Sequence, residues 1–256
     1  MRILNIRKLA LLALASIAGS LSAQSNMQTA SATRYDGEWS FVRLAYTEGG
    51  FSYGCQGGGI GNRTDMPQAE YNVRYALDRL TRVNTGNELF LRPNDPNLMN
   101  YPWLYAVEVG HWDLNDADAA NLREYLLRGG FLMVDDFHGT DEWRVFTNSM
   151  NKVFPDRVIT DIPESDPLMH LINEVDMTTP IPADQHANSP NPYQCDGTRP
   201  TWRGIYDDKD RLMVAISHNM DLGDAWEHAN DPRYPEPMSG AALRYAINNV
   251  VYAMTH

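Results

Sequence analysis

Two carboxylates and a histidine follow directly on an apolar run: Asp135, Asp136 and His138 come after Gly129-Gly130-Phe131-Leu132-Met133-Val134. Neighbouring carboxylates can split in pKa and divide acid–base work, and a histidine nearby can hold or pass a proton close to neutral pH. A short apolar run bounded by turn signals is the pattern of a buried parallel strand. In open parallel sheets, ligands gather beyond the carboxyl ends of the strands. These three residues are therefore expected at the mouth of a site and not in the core.

Other polar groups fall at equivalent places. His111 follows the run Trp103 to Val109, and His218 and Asn219 follow Leu212 to Ile216. Asp221, Asp224, Trp226 and Glu227 come just beyond, and Arg63 and Asp65 enter from the loop after the first strand. The candidate catalytic residues are Asp136, His138, His218 and His111. The candidate ligand contacts add Arg63, Asp65, Asp135, Asn219, Asp221, Asp224, Trp226 and Glu227.

Histidine nitrogen and carboxylate oxygen could hold a divalent metal, but no contiguous ligand signature such as H-E-x-x-H is present, so no motif requires a cofactor. The turn after the central strand reads Asp-Asp-Phe-His-Gly, without the serine or cysteine of a strand-elbow hydrolase. Ser217 lacks the glycine frame of such a nucleophile. Three readings stay open. The first is a binding domain for a polar small molecule or glycan, with Trp226 and Trp112 as stacking platforms. The second is a hydrolase using the His/Asp cluster with a metal or bound water, and the third is a structural part of an envelope complex.

The positioning elements follow from pattern. Trp39 to Tyr46 is aromatic and β-branched and predicts a first strand, opening into a glycine-rich loop over residues 47–62. Asp65-Met66-Pro67-Gln68 has the form of a capping box, predicting a helix over 66–82. Strands are expected at Glu88 to Arg92 and Trp103 to Val109. A helix capped by Asn115 should stop at Gly129 before the central strand. Trp143, Phe146, Met150 and Val153 mark another helix, and Arg157 to Asp161 a short strand. A turn opens at Asp166-Pro167, and residues 177–200 form a long irregular loop. A hairpin joins Arg203–Tyr206 to Arg211–Ser217, and Ser239 caps the last helix. The order predicts one α/β domain over 38–256: a doubly wound, flavodoxin-like and mostly parallel sheet with a late antiparallel hairpin.

The chain has 256 residues, 43% hydrophobic and 21% charged, in the ordinary globular range. Arg2, Arg7 and Lys8, the apolar run Leu9 to Ala18 and the small residues 19–23 have the form of a cleaved signal peptide. Residues 24–37 then read as a disordered lead-in. Cleavage removes those three positive charges and moves the formal net charge from −12 to −15. Such acidity argues against nucleic acid as a partner, and no membrane span should remain after cleavage. An exported, periplasmic or extracellular setting makes the only two cysteines, Cys55 and Cys195, a disulfide pair. Nothing in the pattern sets an oligomeric state.

Several stretches resemble the domain of unknown function 4159. They include Arg63-Thr64-Asp65-Met66-Pro67, Tyr101-Pro102-Trp103-Leu104-Tyr105, Leu126 through Phe137, Phe154-Pro155-Asp156-Arg157, Arg203 through Asp208 and His218 through Glu227. The resemblance implies a fold similar to class I glutamine amidotransferases and trehalose-utilisation-like domains. The amidotransferase thiol would fall at Asp136-Phe137-His138, where there is none, so glutamine hydrolysis is not implied.

The export reading has a direct test. Mature protein should begin near Gln24 and appear in the exported fraction; an intact Met1 on cytosolic protein would overturn it.

Overall fold

The computed structural model describes residues 37–49 and 61–256. The expected signal peptide, most of the expected lead-in, Cys55 and the centre of the glycine-rich loop lie outside the described residues. The elements are β1 (Val42–Leu44), α1 (Gln68–Leu80), β2 (Leu89–Leu91), β3 (Trp103–Val107), α2 (Asp116–Leu127) and β4 (Phe131–Asp135). There follow α3 (Gly139–Val153), β5 (Thr160–Asp161), β6 (Thr201–Tyr206), β7 (Leu212–His218), α4 (Leu222–Glu227) and α5 (Glu236–Thr255).

Seven strands form one sheet in the order β2-β1-β3-β4-β7-β6-β5. The pairings from β2 through β7 are parallel, while β6 runs antiparallel to both β7 and β5. The expected α/β sheet with its late hairpin is thus present. Residues alternate between faces along each strand. Trp103, Tyr105, Phe131 and Met133 pack with α1 and α5, and Leu104, Ala106, Leu132 and Val134 pack with α2 and α3. Because both faces are covered, β4 is apolar at every position up to Asp135.

Several boundaries differ from the sequence reading. Helix α1 begins at Gln68 behind a cis Met66–Pro67 bond, and Asp65 gives it no side-chain cap; only its carbonyl accepts from Ala69 N. The aspartate is turned inward instead. Strand β3 ends at Val107 because Glu108 turns left-handed. Helix α5 starts at Glu236 after Pro235, so Ser239 lies in its first turn. The polar stretch after His218 contains α4, capped by the Asp221 side chain. The cap at Asn115 and the turn at Asp166-Pro167 form as expected. Among the described residues no helix is long and apolar enough to cross a membrane.

The long loop 177–200 is pinned rather than loose. Ile181 O accepts from Asp221 N, Pro182 O from the Tyr234 hydroxyl, and Asp196 binds Thr140 through both carboxylate oxygens. The turn before it is held by Asn248, fully buried on α5. Its amide donates to Leu168 O and Asn173 O at 2.8 Å and accepts from Asn173 N at 2.9 Å. Asn248→Ala orphans the buried Leu168 carbonyl and the half-buried Asn173 groups and should cost about 2–4 kcal/mol. Urea unfolding measures this, and a loss below about 1 kcal/mol would show that the grip is dispensable.

Candidate functional site

The carboxyl edge of the sheet is built from strained turns. Glu108, Asp136 and Asn219 end the adjacent strands β3, β4 and β7 with φ of 56°, 51° and 62°. Asp65 in the β1–α1 connection (φ 65°) and Cys195 in the long loop (φ 56°) do the same. Of the described non-glycine residues with positive φ, only Asp210, in the β6–β7 hairpin, lies elsewhere. The left-handed region costs an L-residue about 1–2 kcal/mol, and such strain collects at functional sites. The strand order reverses between β1 and β3, which is where doubly wound sheets open a crevice.

One half of this edge is acidic. Asp135 shares the α1/α5 face with Met133, and its Oδ2 accepts from Leu222 N (2.8 Å), Gly223 N (2.9 Å) and the Tyr105 hydroxyl (3.1 Å). That contact holds the start of α4 against β4. Asp221 Oδ1 then caps Asp224 N at 2.8 Å, and Asp224 Oδ2 accepts from Asp184 N at 2.8 Å. Asp65 reaches the same place because residue 223 is glycine: a Cβ there would stand 2.0 Å from Asp65 Oδ2. Oxygens of Asp65, Asp221 and Asp224 lie within 4.8 Å of one another. Burial, offset in part by the amides of Gly223 and Leu222, lifts Asp135 to about 7. Burial and then the charge of Asp224 push Asp65 up. Burial and then Asp136 and Asp224 push Asp221 up.

The other half pairs acids with histidines. Asp136 Oδ1 lies 3.1 Å from His138 Nε2, which is also 3.2 Å from the Gln194 amide. Burial lowers His138 to about 3, so its ring is neutral, while burial and Glu108 raise Asp136. The His138 amide donates to Glu142 Oε2, itself lifted to about 7 by burial. Glu108 stands 3.2 Å from His111 Nε2, and this hydrogen bond raises the histidine.

His218 is committed to the fold. Its ring nitrogens meet Thr201 Oγ1 and Gly139 O at 3.0 Å, its ring packs on Phe137 and Trp143, and burial lowers it to about 4. Asn219 likewise braces the edge: Oδ1 accepts from Gly139 N and the amide donates to Arg199 O. The stacking platforms expected at Trp226 and Trp112 are not there. Trp226 is 0% exposed among Phe41 and Tyr105, and Trp112 is 1% exposed against Phe146. Arg63 is exposed and lies over the Phe90 ring, on the β2 side. Glu227 is half-buried beside Asp224 and His228. Cys195 is on the carboxyl-edge side, its Sγ 3.9 Å from Glu142 Oε1, as the antiparallel run of β6 requires.

Sequence reasoning missed Arg43, Glu70, Glu108, Glu142 and Gln194. Arg43 is 1% exposed in β1, ion-paired to Glu70 of α1, with its guanidinium over Tyr105. A single arginine inside Trp-Ser-Phe-Val-Arg-Leu-Ala-Tyr was the available signal; nothing in the sequence marks the others.

A small cleft of about 160 Å³ adjoins the acidic half, lined by Asp184, Asn188, His228, Asp231, Arg233 and Tyr234. A larger one, about 410 Å³, lies at the opposite, amino end of the sheet around Tyr101, Tyr125 and Arg128. It holds no carboxylate, and the strained turns are not there.

The raised carboxylates set a pH signature. An aspartate whose folded pKa exceeds its unfolded value near 3.9 begins to cost stability as pH rises past about 4, and the cost grows until the folded pKa is passed. Asp65→Asn removes such a group, and asparagine tolerates positive φ. In chelator-treated protein the variant should gain stability over the parent more at pH 8 than at pH 5 by urea unfolding. An equal or smaller gain at pH 8 would mean that burial and Asp224 do not raise the Asp65 carboxyl.

No curated protein matches the chain. The model of the family described as Domain of unknown function (DUF4159) matches residues 41–254, from the start of the sheet to the last helix, and the chain belongs to that family.

Proposed function

We propose that the carboxyl edge of the sheet binds a polar, hydroxyl-rich small molecule, a glycan above all, in an exported protein. The observation that carries this reading is the gathering of left-handed residues Asp65, Glu108, Asp136, Cys195 and Asn219 at the carboxyl end of the sheet, among buried carboxylates. Carboxylates there accept hydroxyl hydrogen bonds, and the cleft around Asp184 and Asn188 gives a ligand a second wall. With Trp226 and Trp112 buried, recognition rests on hydrogen bonds and not on aromatic stacking. The strand order supports kinship with the glutamine amidotransferase-like folds, without their thiol.

A second reading, hydrolysis, is favoured by one feature. Asp136 occupies a left-handed turn between β4 and α3, the strand–turn–helix elbow of hydrolases, with His138 beside it. A raised Asp136 and a neutral His138 suit general acid and base roles on a bound water.

One set of measurements separates the two. The mature chain is screened by thermal shift against neutral and acidic mono- and oligosaccharides, and assayed with p-nitrophenyl glycosides and esters. Binding should raise the melting temperature, with Asp136→Asn and His138→Ala each weakening the response at least tenfold. Turnover lost in both variants would establish hydrolysis instead. Absence of any shift at about 10 mM sugar, weaker than useful pockets bind, would overturn the glycan reading.

We also propose that Cys195 is bonded to Cys55, which would fix the glycine-rich loop beside Glu142. Titration of unreduced, denatured protein should find no free thiol, and two per chain would refute the bond.

A further inference from the structure

The acidic half of the edge gathers carboxylates that the fold leaves without a cationic hydrogen-bond partner. Buried ionised groups are ordinarily paired or bound to a metal. The buried Arg43 on this side is ion-paired with Glu70 through Nε and makes no hydrogen bond to Asp65. Among the described residues no arginine, lysine or histidine forms an ion pair with Asp65 or Asp221, and the Asp224 carboxylate accepts from the Asp184 amide, with Glu227 and His228 within 4.8 Å on its outer side. Asp65 Oδ2 is buried without a hydrogen-bond partner, and so is Oδ1 of the adjoining Asp135. Asp65 is 8% exposed and Asp135 0%. These orphaned oxygens are an observation separate from the cluster itself, because a buried acceptor with nothing to accept is costly unless a ligand fills the gap.

We propose that Asp65, Asp221 and Asp224 hold a divalent cation, calcium above all. Donor atoms on opposite sides of a cation with bonds of 2.3–2.6 Å stand at most about 5 Å apart, and the three carboxylates lie within 4.8 Å. The donors are all oxygen and come from two unconnected segments, which suits a hard ion with adaptable geometry better than zinc. The segments are also preset. Asp221 Oδ1 and Asp224 Oδ2 are each fixed by an amide, leaving the second oxygen of each for the ion. Gly223 admits Asp65 between them, since any side chain at 223 would strike Asp65 Oδ2. The inner triad shares Asp224 with an outer one, Asp224, Glu227 and His228, which is half-buried and lacks a buried orphaned oxygen. The ion is therefore assigned to the inner position.

This proposal goes beyond the glycan reading and is tested with metal salts alone, so the failure of either leaves the other standing. Chelator-treated full chain is titrated calorimetrically with calcium, magnesium, manganese and zinc chlorides, with melting temperatures in parallel. Calcium should bind with one-to-one stoichiometry and raise the melting temperature. Asp65→Asn, which removes no helix cap, should weaken calcium binding at least tenfold, as should Asp221→Asn if it folds. His228→Ala should leave the affinity within about twofold, far less than the loss of a ligand. No binding of any salt at about 10 mM, above the weakest extracellular calcium sites, overturns the proposal. So does binding that survives Asp65→Asn but is lost in His228→Ala, or preference for zinc unaffected by either carboxylate change.

Discussion

The Asp135 carboxylate is the fastening on which the carboxyl edge of the sheet depends. It ends the central strand, and its Oδ2 receives two amides from the first turn of α4 and the hydroxyl of Tyr105 from the next strand. A six-residue helix could not hold this position by its own propensity, since short helices are marginal without tertiary support. Tied to β4, it delivers Asp221 and Asp224 to the place that Asp65 approaches from the β1–α1 connection. Hydrogen bonds to a charged acceptor in a dry setting are strong, and the same dryness makes the leftover oxygen expensive.

The two halves of the edge solve the problem of buried charge differently. On the Glu108 side each acid has a companion: Glu108 meets His111, Asp136 meets His138, and Glu142 receives the His138 amide. On the Asp65 side the companions are backbone amides and other acids. Arg43 lies under this half but answers first to Glu70 and to the faces of Phe41 and Tyr105. The asymmetry separates a region suited to proton handling from one suited to holding a positive ligand.

Much of the scaffold was legible because it depends on local pattern. The Phe131–Val134 run announced a buried strand, Asn115 a cap that formed, and Asp166-Pro167 a turn that formed. The reversal of β6 was implied by the apolar strand that follows it and put Cys195 on the correct side. What failed depended on long-range contacts. Asp65 resembles a capping residue in sequence, and only the position of Gly223 shows why its carboxylate turns inward. Trp226 looks like a ligand platform until Phe41 and Tyr105 close over it. His218 looks like a site residue, yet Thr201 and Gly139, distant in sequence, occupy both its nitrogens. Strand-end position told which polar residues gather at one edge, while which of them brace the fold was set by partners no spacing rule reveals.

Gly223 makes the acidic pocket traceable across related chains. Its missing methyl is a space occupied by the Asp65 carboxylate and bordered by the Tyr105 hydroxyl. The three positions should therefore vary together: a relative with a larger residue at the equivalent of 223 is expected to give up the inward aspartate, the tyrosine hydroxyl or both. Reading that one alignment column would sort members that keep the pocket from members that inherit only the scaffold, without any assay.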